Sequence, residues 1–212
     1  MGTHVIAVIN QKGGAGKTTL AMNLAAGLAK RGATVVMDLD PQGSSRQWAS
    51  MGTEPFPAVV EQLNGNDWDA RTLHQNYQTY RHMVLDCPPS MESHASMQAL
   101  RACDVALIPV LPSPLDLWAS LRLPQEIEEA RKTNPNIKAY LVLNQLEPAS
   151  ALSAAMHDAL TEFGIPVLNA VIRRRAVYRS AALEGVSVYQ MGGHGTHAVA
   201  EIEAIIKEVM RR

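Results

Sequence analysis

Residues 12–19 read Lys12-Gly13-Gly14-Ala15-Gly16-Lys17-Thr18-Thr19. This glycine-rich segment follows an apolar run typical of a buried strand, His4–Asn10, and it leads into a helix predicted over Thr18–Arg31. A strand, a glycine-rich turn and a helix in this order are the context of a phosphate-binding loop, whose general pattern is G-x-x-x-x-G-K-[ST]. The end of the segment matches that pattern, although Gln11 replaces its first glycine. The segment therefore predicts a site for the phosphates of a nucleotide.

The residues of this loop have different expected roles. The backbone N–H groups of residues 13–16 and the positive end of the following helix are expected to face phosphate oxygens. Lys17 is expected to reach the β- and γ-phosphates, and the Thr18 hydroxyl to ligate Mg²⁺. The ordinary loop does not need Lys12, which is either a solvated lysine or a second cation directed at phosphate. A lysine supplied by a neighbouring subunit would act as an arginine finger does and link hydrolysis to dimerisation.

The rest of the chain alternates strands with helices, which predicts an α/β fold with a doubly wound, mostly parallel sheet and helices on both faces. The length of 212 residues and the absence of a linker favour a single domain over residues 1–212. Residues 52–78 show no clear period. Further strands are predicted at 34–37, 82–86, 105–110, 139–144 and 167–172, and further helices at 93–102, 115–132, 150–163 and 197–212.

Three aspartates follow predicted strands. Asp38, Asp40 and Asp86 are expected to meet at one edge of the sheet, because parallel strands end on the same side and ligands bind there. Mg²⁺ prefers oxygen ligands and keeps several waters, so Thr18 and an indirect carboxylate make a suitable site. Asp86 and Asp40 are the predicted metal residues, whereas Asp38 is as well explained by a turn.

Composition restricts the class of protein. The chain is 47% hydrophobic and 18% charged, with a formal net charge of -1, so any nucleic-acid binding must depend on a local basic patch. The two cysteines, Cys87 and Cys103, are too few for a disulfide framework and favour a reducing cytoplasm. No apolar run approaches the roughly 18 residues of a membrane span, and no signal peptide is expected.

Several weaker features have two interpretations. The basic cluster Arg173, Arg174, Arg175 and Arg179 is either a solvated face or a set of contacts to DNA phosphates. Asn144 either binds the edge of a purine or terminates a strand in a turn. The absence of an Asn-Lys-x-Asp box favours ATP over GTP. Residues 192–197 contain two histidines, but a flexible loop explains them better than a metal site.

Together, several motifs resemble those of the ParA/MinD superfamily of deviant Walker A ATPases. Residues 10–19 resemble its phosphate loop, residues 38–43 its second box and residues 85–89 its Walker B box. The proline-rich stretch 109–116 resembles the small plasmid-partition ATPases of the ParF-like subgroup. These motifs cover roughly the first 120 residues, while the C-terminal part matches more weakly, through residues 175–188.

The resemblance implies a specific mechanism. Lys12 would contact nucleotide across an ATP-sandwiched homodimer, Asp40 would orient the attacking water, and Asp86 would hold Mg²⁺ through water. The proline-rich stretch implies that Pro112 contacts the dimer partner or the nucleotide edge. The implied nucleotide-binding set is residues 12–19 with Asn144 and Pro112, and the implied catalytic set is Lys12, Lys17 and Asp40.

The resemblance also implies partners. Such ATPases bind nucleoid DNA non-specifically as ATP dimers, and a ParB-like or cargo-adaptor protein stimulates their weak hydrolysis. The cargo is a plasmid or chromosome first, and a protein assembly such as a carboxysome or a chemosensory cluster second.

Two alternatives remain at this point. A membrane-cycling ATPase of the MinD type would need a basic amphipathic tail, whereas the last predicted helix carries Glu201, Glu203 and Glu208 and is expected to pack against the body. A small metabolic P-loop enzyme would bind a small substrate and would have little use for Lys12.

Overall fold

The computed structural model describes residues 2–63, 68–90, 93–114, 116, 122–147, 160 and 164–211. Within these residues, strands and helices alternate along the chain as the sequence predicts. The strands are β1 (His4–Val8), β2 (Thr34–Asp38), β3 (Val59–Gln62), β4 (His82–Asp86), β5 (Val105–Val110) and β6 (Lys138–Leu143). The helices are α1 (Lys17–Ala29), α2 (Ser44–Met51), α3 (Ala70–Asn76), α4 (His94–Ala102), α5 (Leu123–Arg131), α6 (Ala176–Leu183) and α7 (Thr196–Arg211).

The strands form a six-stranded sheet in the order β3-β2-β4-β1-β5-β6, and every pair is parallel. This confirms the predicted fold class. Because β1 lies inside the sheet and is covered on both faces, its residues Val5 to Val8 are all buried. The order reverses around β1, so the loop that follows β1 lies where parallel sheets bind ligands.

Two apolar layers hold the sheet. One face packs against α3, α4 and α5 through a cluster that includes Leu85 and Ile108, and the other packs against α1 and α7 through a cluster that includes Val84 and Leu24. The last helix buries Ile202, Ile206 and Val209 in the second cluster, which confirms that it packs against the body.

The sequence-based assignment of strands is wrong at two places. The predicted strand at 167–172 makes only an isolated bridge to β6 at Val167, although Leu168 and Ile172 donate backbone hydrogen bonds to β6. The sixth strand is instead β3, which lies in the region without a clear period. Its four residues are at most partly buried at the sheet edge, so they carry no long apolar run. Helices α2, α3 and α6 were also not predicted.

Two predicted helices fall partly or largely outside the described residues. The helix predicted at 115–132 is described mainly as α5, over its second half. Of the helix predicted at 150–163, only Leu160 is described.

A tight backbone contact joins the ends of α2 and α6, and it yields a stability prediction. Gly185 has a φ of +69°, and a Cβ there would lie 2.1 Å from the backbone nitrogen of Gly52. Gly192 has a similar φ of +56° but open space around it. We expect Gly185→Ala to lower the free energy of unfolding by about 3 kcal/mol or more, and Gly192→Ala by only about 1 kcal/mol, because both are strained but only the first clashes. Urea denaturation measures both, and equal losses would contradict the contact.

Candidate functional site

The glycine-rich loop connects β1 to α1 in a conformation that requires glycine at two positions. Gly14 and Gly16 have φ values of +78° and +87°, in the left-handed region that L side chains rarely adopt. A Cβ on Gly16 would also lie 2.3 Å from Nδ2 of Asn144. The second constraint places the backbone of the loop against the end of β6, and left-handed glycines allow successive N–H groups to face an anion.

Side chains within the loop support this conformation. Asn10 donates from Nδ2 to the Pro109 carbonyl at 2.7 Å and accepts from the Lys12 backbone N–H at 3.1 Å. Lys17 is buried, and its ammonium donates to the Lys12 carbonyl at 3.0 Å. Burial lowers the pKa of Lys17, and the nearby carboxylate of Asp86 opposes that shift. The ammonium is thus confined inside the curl of the loop, where it can meet phosphate.

Asp86 lies at the end of β4 and is completely surrounded by protein. Its Oδ2 accepts hydrogen bonds from the Thr18 hydroxyl at 2.8 Å and the Ser45 hydroxyl at 2.7 Å. Burial raises the pKa of Asp86 to about 7, against the opposing effect of these two hydroxyls. Its other oxygen, Oδ1, is buried and has no hydrogen-bond partner among the described residues. An orphaned carboxylate oxygen beside a threonine hydroxyl is a donor set that fits Mg²⁺ and its waters.

The other two aspartates have different surroundings. Asp38 pairs in register with Asp86 on the neighbouring strand, but its carboxylate accepts from the backbone N–H groups of Arg46 at 3.1 Å and Asp40 at 3.2 Å. Burial raises the pKa of Asp38, and these N–H groups oppose that shift. Asp38 therefore supports the turn before α2. Asp40 lies on that turn, partly exposed, and accepts from the Gln42 N–H at 3.0 Å.

Lys12 makes an ion pair within its own chain. Its Nζ lies 2.6 Å from Oδ2 of Asp116, a carboxylate that is only 4% exposed. The Ser113 hydroxyl donates to the same oxygen at 2.7 Å. The proline-rich segment that contains Pro112 thus contacts the loop through Asp116. The contact of Lys12 with a second subunit stays a prediction.

A cavity of about 170 Å³ adjoins the loop. Asn144 lines it, and the Asn144 amide donates to the Ala15 carbonyl at 2.7 Å while its Oδ1 accepts from the Gln145 N–H at 2.9 Å. The cavity lies beyond the phosphate loop, between the end of β6 and the segment that leads into α6. Gly16 and Thr19 line its loop side.

The arginines predicted to bind DNA line the same cavity. Two of them are ion-paired: Arg174 with Glu147 at 2.8 Å and Arg175 with Glu201 at 2.8 Å. For the side chains of Arg173 and Arg179, no ion pair to a described residue is found. The structure therefore brings the basic cluster next to the phosphate loop. Arg174 and Arg175 form ion pairs there, whereas the side chains of Arg173 and Arg179 form none with the described residues.

Sequence reasoning missed two polar contributors, Ser45 and Asp116. Ser45 lies two residues after the motif at residues 38–43. Asp116 is the last residue of the proline-rich stretch 109–116. Neither residue type signals a contact with Asp86 or Lys12, because each contact joins distant parts of the chain.

Other kinds of site find no support in the part of the chain that the structure describes. No group of three or more metal-binding side chains occurs there, which includes residues 192–197. None of the described helices has both the length and the apolar character needed to cross a bilayer.

Comparison with known proteins gives a consistent result. The family model described as the CobQ/CobB/MinD/ParA nucleotide binding domain matches residues 6–188. The chain is 48% identical over 206 residues to maintenance of carboxysome distribution protein A of Halothiobacillus neapolitanus, covering 97% of this chain and 95% of that protein.

Solved structures share the fold. An ATP complex of a McdA variant from Cyanothece has a TM-score of 0.80 at 15% identity and covers 98% of this chain and 96% of that chain. The septum site-determining protein MinD of Pyrococcus horikoshii, solved with Mg-ADP, has a TM-score of 0.69 at 20% identity and covers 94% of each. The loop, the buried Asp86 and the match to the family model agree, and the chain belongs to the CobQ/CobB/MinD/ParA family of nucleotide-binding domains.

Proposed function

We propose that this chain acts, as one domain over residues 1–212, as a ParA-type Mg²⁺-ATPase that positions a cargo. The observation that carries the proposal is the buried Asp86, bonded to the Thr18 hydroxyl at 2.8 Å with its second oxygen unpartnered, beside a phosphate loop with an additional lysine. A site of this kind supplies a place for phosphates and a metal ion, and Lys12 adds a cation that nucleotide binding alone does not need.

The residues of the site have distinct roles in this proposal. The loop N–H groups and Lys17 bind the phosphates, while Thr18 and Asp86 hold Mg²⁺, which neutralises charge on the phosphates when bound. Asp40 lies on the turn before α2, where it can orient the attacking water. Asn144 faces the nucleoside, and Pro112 lies in the segment that contacts either the nucleotide edge or a second subunit.

Lys12 couples the nucleotide to dimerisation in this account. In the single chain its ammonium is paired with Asp116. Lys12 is 35% exposed, so it can exchange this partner for the phosphates bound to a second subunit. The result is a homodimer with ATP between the subunits, and hydrolysis returns each lysine to its own chain.

The relatives favour a protein cargo. The 48% identical relative is named for the distribution of carboxysomes, and it matches along nearly its whole length. We therefore place a carboxysome-like assembly ahead of plasmid or chromosome DNA, which reverses the order that the motifs alone suggest. A ParB-like or cargo-adaptor protein would stimulate hydrolysis, and the ATP dimer would reside on nucleoid DNA in the cytoplasm.

Binding to DNA tests the nucleoid part of the proposal. With ATP and Mg²⁺ the protein is expected to bind non-specific duplex DNA with an affinity that falls steeply with salt, because the contacts are to phosphates. Arg173→Ala and Arg179→Ala should each weaken this binding and reduce the salt slope by about one, whereas Arg131→Ala on α5 should not. Fluorescence anisotropy with labelled DNA measures this. If wild-type protein binds no DNA with ATP and Mg²⁺, the nucleoid part of the proposal is wrong.

Substitutions of Lys12 test the proposed link between ATP and dimerisation. Lys12→Ala and Lys12→Gln are expected to abolish ATP-dependent dimerisation while changing ATP affinity of the monomer only a few-fold, because Lys17 and the loop N–H groups remain. Lys132→Ala, which removes a lysine that is 70% exposed at the end of α5, is the control. Light scattering after gel filtration measures the mass. A Lys12→Ala protein that dimerises normally with ATP would contradict the sandwich arrangement.

Burying Asp86 without nucleotide has a cost that depends on pH. Its folded pKa of about 7 lies above the ordinary value near 4, so the folded state resists ionisation and loses stability as pH rises from about 4 to about 7. Asp86→Asn removes this dependence. We expect the unfolding free energy of Asp86→Asn, minus that of wild type, to increase by ~2–3 kcal/mol between pH 5 and pH 8.

Urea denaturation of nucleotide-free protein at the two pH values tests this difference. The same substitution should abolish Mg²⁺-dependent hydrolysis, so stability and function are expected to move in opposite directions. A difference that stays constant with pH would show that Asp86 ionises as freely in the folded as in the unfolded chain.

A further inference from the structure

Ser45 occupies an unusual position for a small polar residue. It is the second residue of α2, it is completely buried, and its hydroxyl donates to Oδ2 of Asp86 at 2.7 Å. Asp86 lies on β4, so this bond connects the helix after the Asp40 turn to the carboxylate proposed to hold Mg²⁺. The neighbouring Ser44 is exposed and has no such contact.

The two hydroxyls on Asp86 are not equivalent once a metal is considered. The Thr18 oxygen is itself a proposed metal ligand, so its lone pairs are directed at the ion when Mg²⁺ is present. Ser45 lies on a different helix, and its hydroxyl is directed at the carboxylate. Carboxylates that hold metal ions are generally oriented by such hydrogen bonds, and loss of one typically costs about 10- to 100-fold in metal affinity.

The far side of α2 is anchored elsewhere in the molecule. Trp48 donates from its indole nitrogen to the Val186 carbonyl at 3.0 Å. The end of α2 meets Gly185 through the close contact at Gly52. The start of α2 is held as well, because the Arg46 N–H donates to Asp38 at 3.1 Å, so Ser45 has little freedom to follow Asp86 if the carboxylate turns. A Ser45 hydroxyl held in place in this way favours one orientation of the Asp86 carboxylate.

We propose that Ser45 is a positioning residue for the metal site, which fixes the orientation of Asp86 so that its unpartnered Oδ1 is directed at Mg²⁺ and its waters. The proposal rests on the Mg²⁺ role assigned above to Asp86 and Thr18.

The test is Mg²⁺-dependent nucleotide binding by Ser45→Ala and Ser44→Ala. Binding of a fluorescent ATP analogue is measured first in EDTA and then over a Mg²⁺ titration. Ser45→Ala should bind the analogue in EDTA within about twofold of wild type, but it should need about tenfold more Mg²⁺ for half of the metal-dependent gain. Ser44→Ala should match wild type in both measurements. Equal Mg²⁺ midpoints for Ser45→Ala and wild type overturn the proposal.

Two further outcomes separate orientation from packing. Ser45→Cys keeps the size of the side chain with a weaker donor, so it should shift the Mg²⁺ midpoint in the same direction, and it decides the question if Ser45→Ala fails to fold. Weakened binding in EDTA by either variant, with an unchanged Mg²⁺ midpoint, overturns the positioning role. If Mg²⁺ does not raise the affinity of wild-type protein for the ATP analogue, the proposed Mg²⁺-ATPase is itself wrong. If wild-type protein responds to Mg²⁺ and the Ser45 variants respond equally, only the role of Ser45 is wrong.

Discussion

The hydrogen bond from the Thr18 hydroxyl to the buried Asp86 carboxylate is the contact on which the rest of the site depends. It connects the first turn of α1 to the end of β4, and therefore fixes the phosphate loop against the centre of the sheet. Burying a carboxylate with so few partners is costly, as its pKa of about 7 indicates. Such a cost is commonly found where a charged ligand is expected to complete the arrangement.

The parallel sheet explains why these groups meet. β1, β2 and β4 are adjacent, so the phosphate loop, the Asp40 turn and Asp86 emerge at one edge. The α2 helix begins at this edge, and Gly52 at its end contacts Gly185, which follows α6, the helix that carries Arg179. One short helix thus connects the turn that carries Asp40 to the end of α6.

Sequence patterns were informative where a local constraint dominates. The loop between β1 and α1 was predictable because glycine, lysine and threonine have fixed chemical tasks there, and the ends of β2 and β4 were predictable from their apolar runs. β3 was missed because four half-exposed residues at a sheet edge carry little signal. Residues 167–172 look like a strand but pair with β6 only at isolated points. Ser45 and Asp116 act through contacts between distant segments, which spacing along the chain does not reveal.

In the proposed mechanism, Lys12 changes partners when ATP binds. A crystal structure of the wild-type protein with a non-hydrolysable ATP analogue and Mg²⁺ tests it most directly. The account predicts a dimer in which Nζ of Lys12 has left Asp116 and contacts the phosphates bound to the other subunit, with Thr18 on the metal. An occupied nucleotide site in which Lys12 remains paired with Asp116 of its own chain would contradict it.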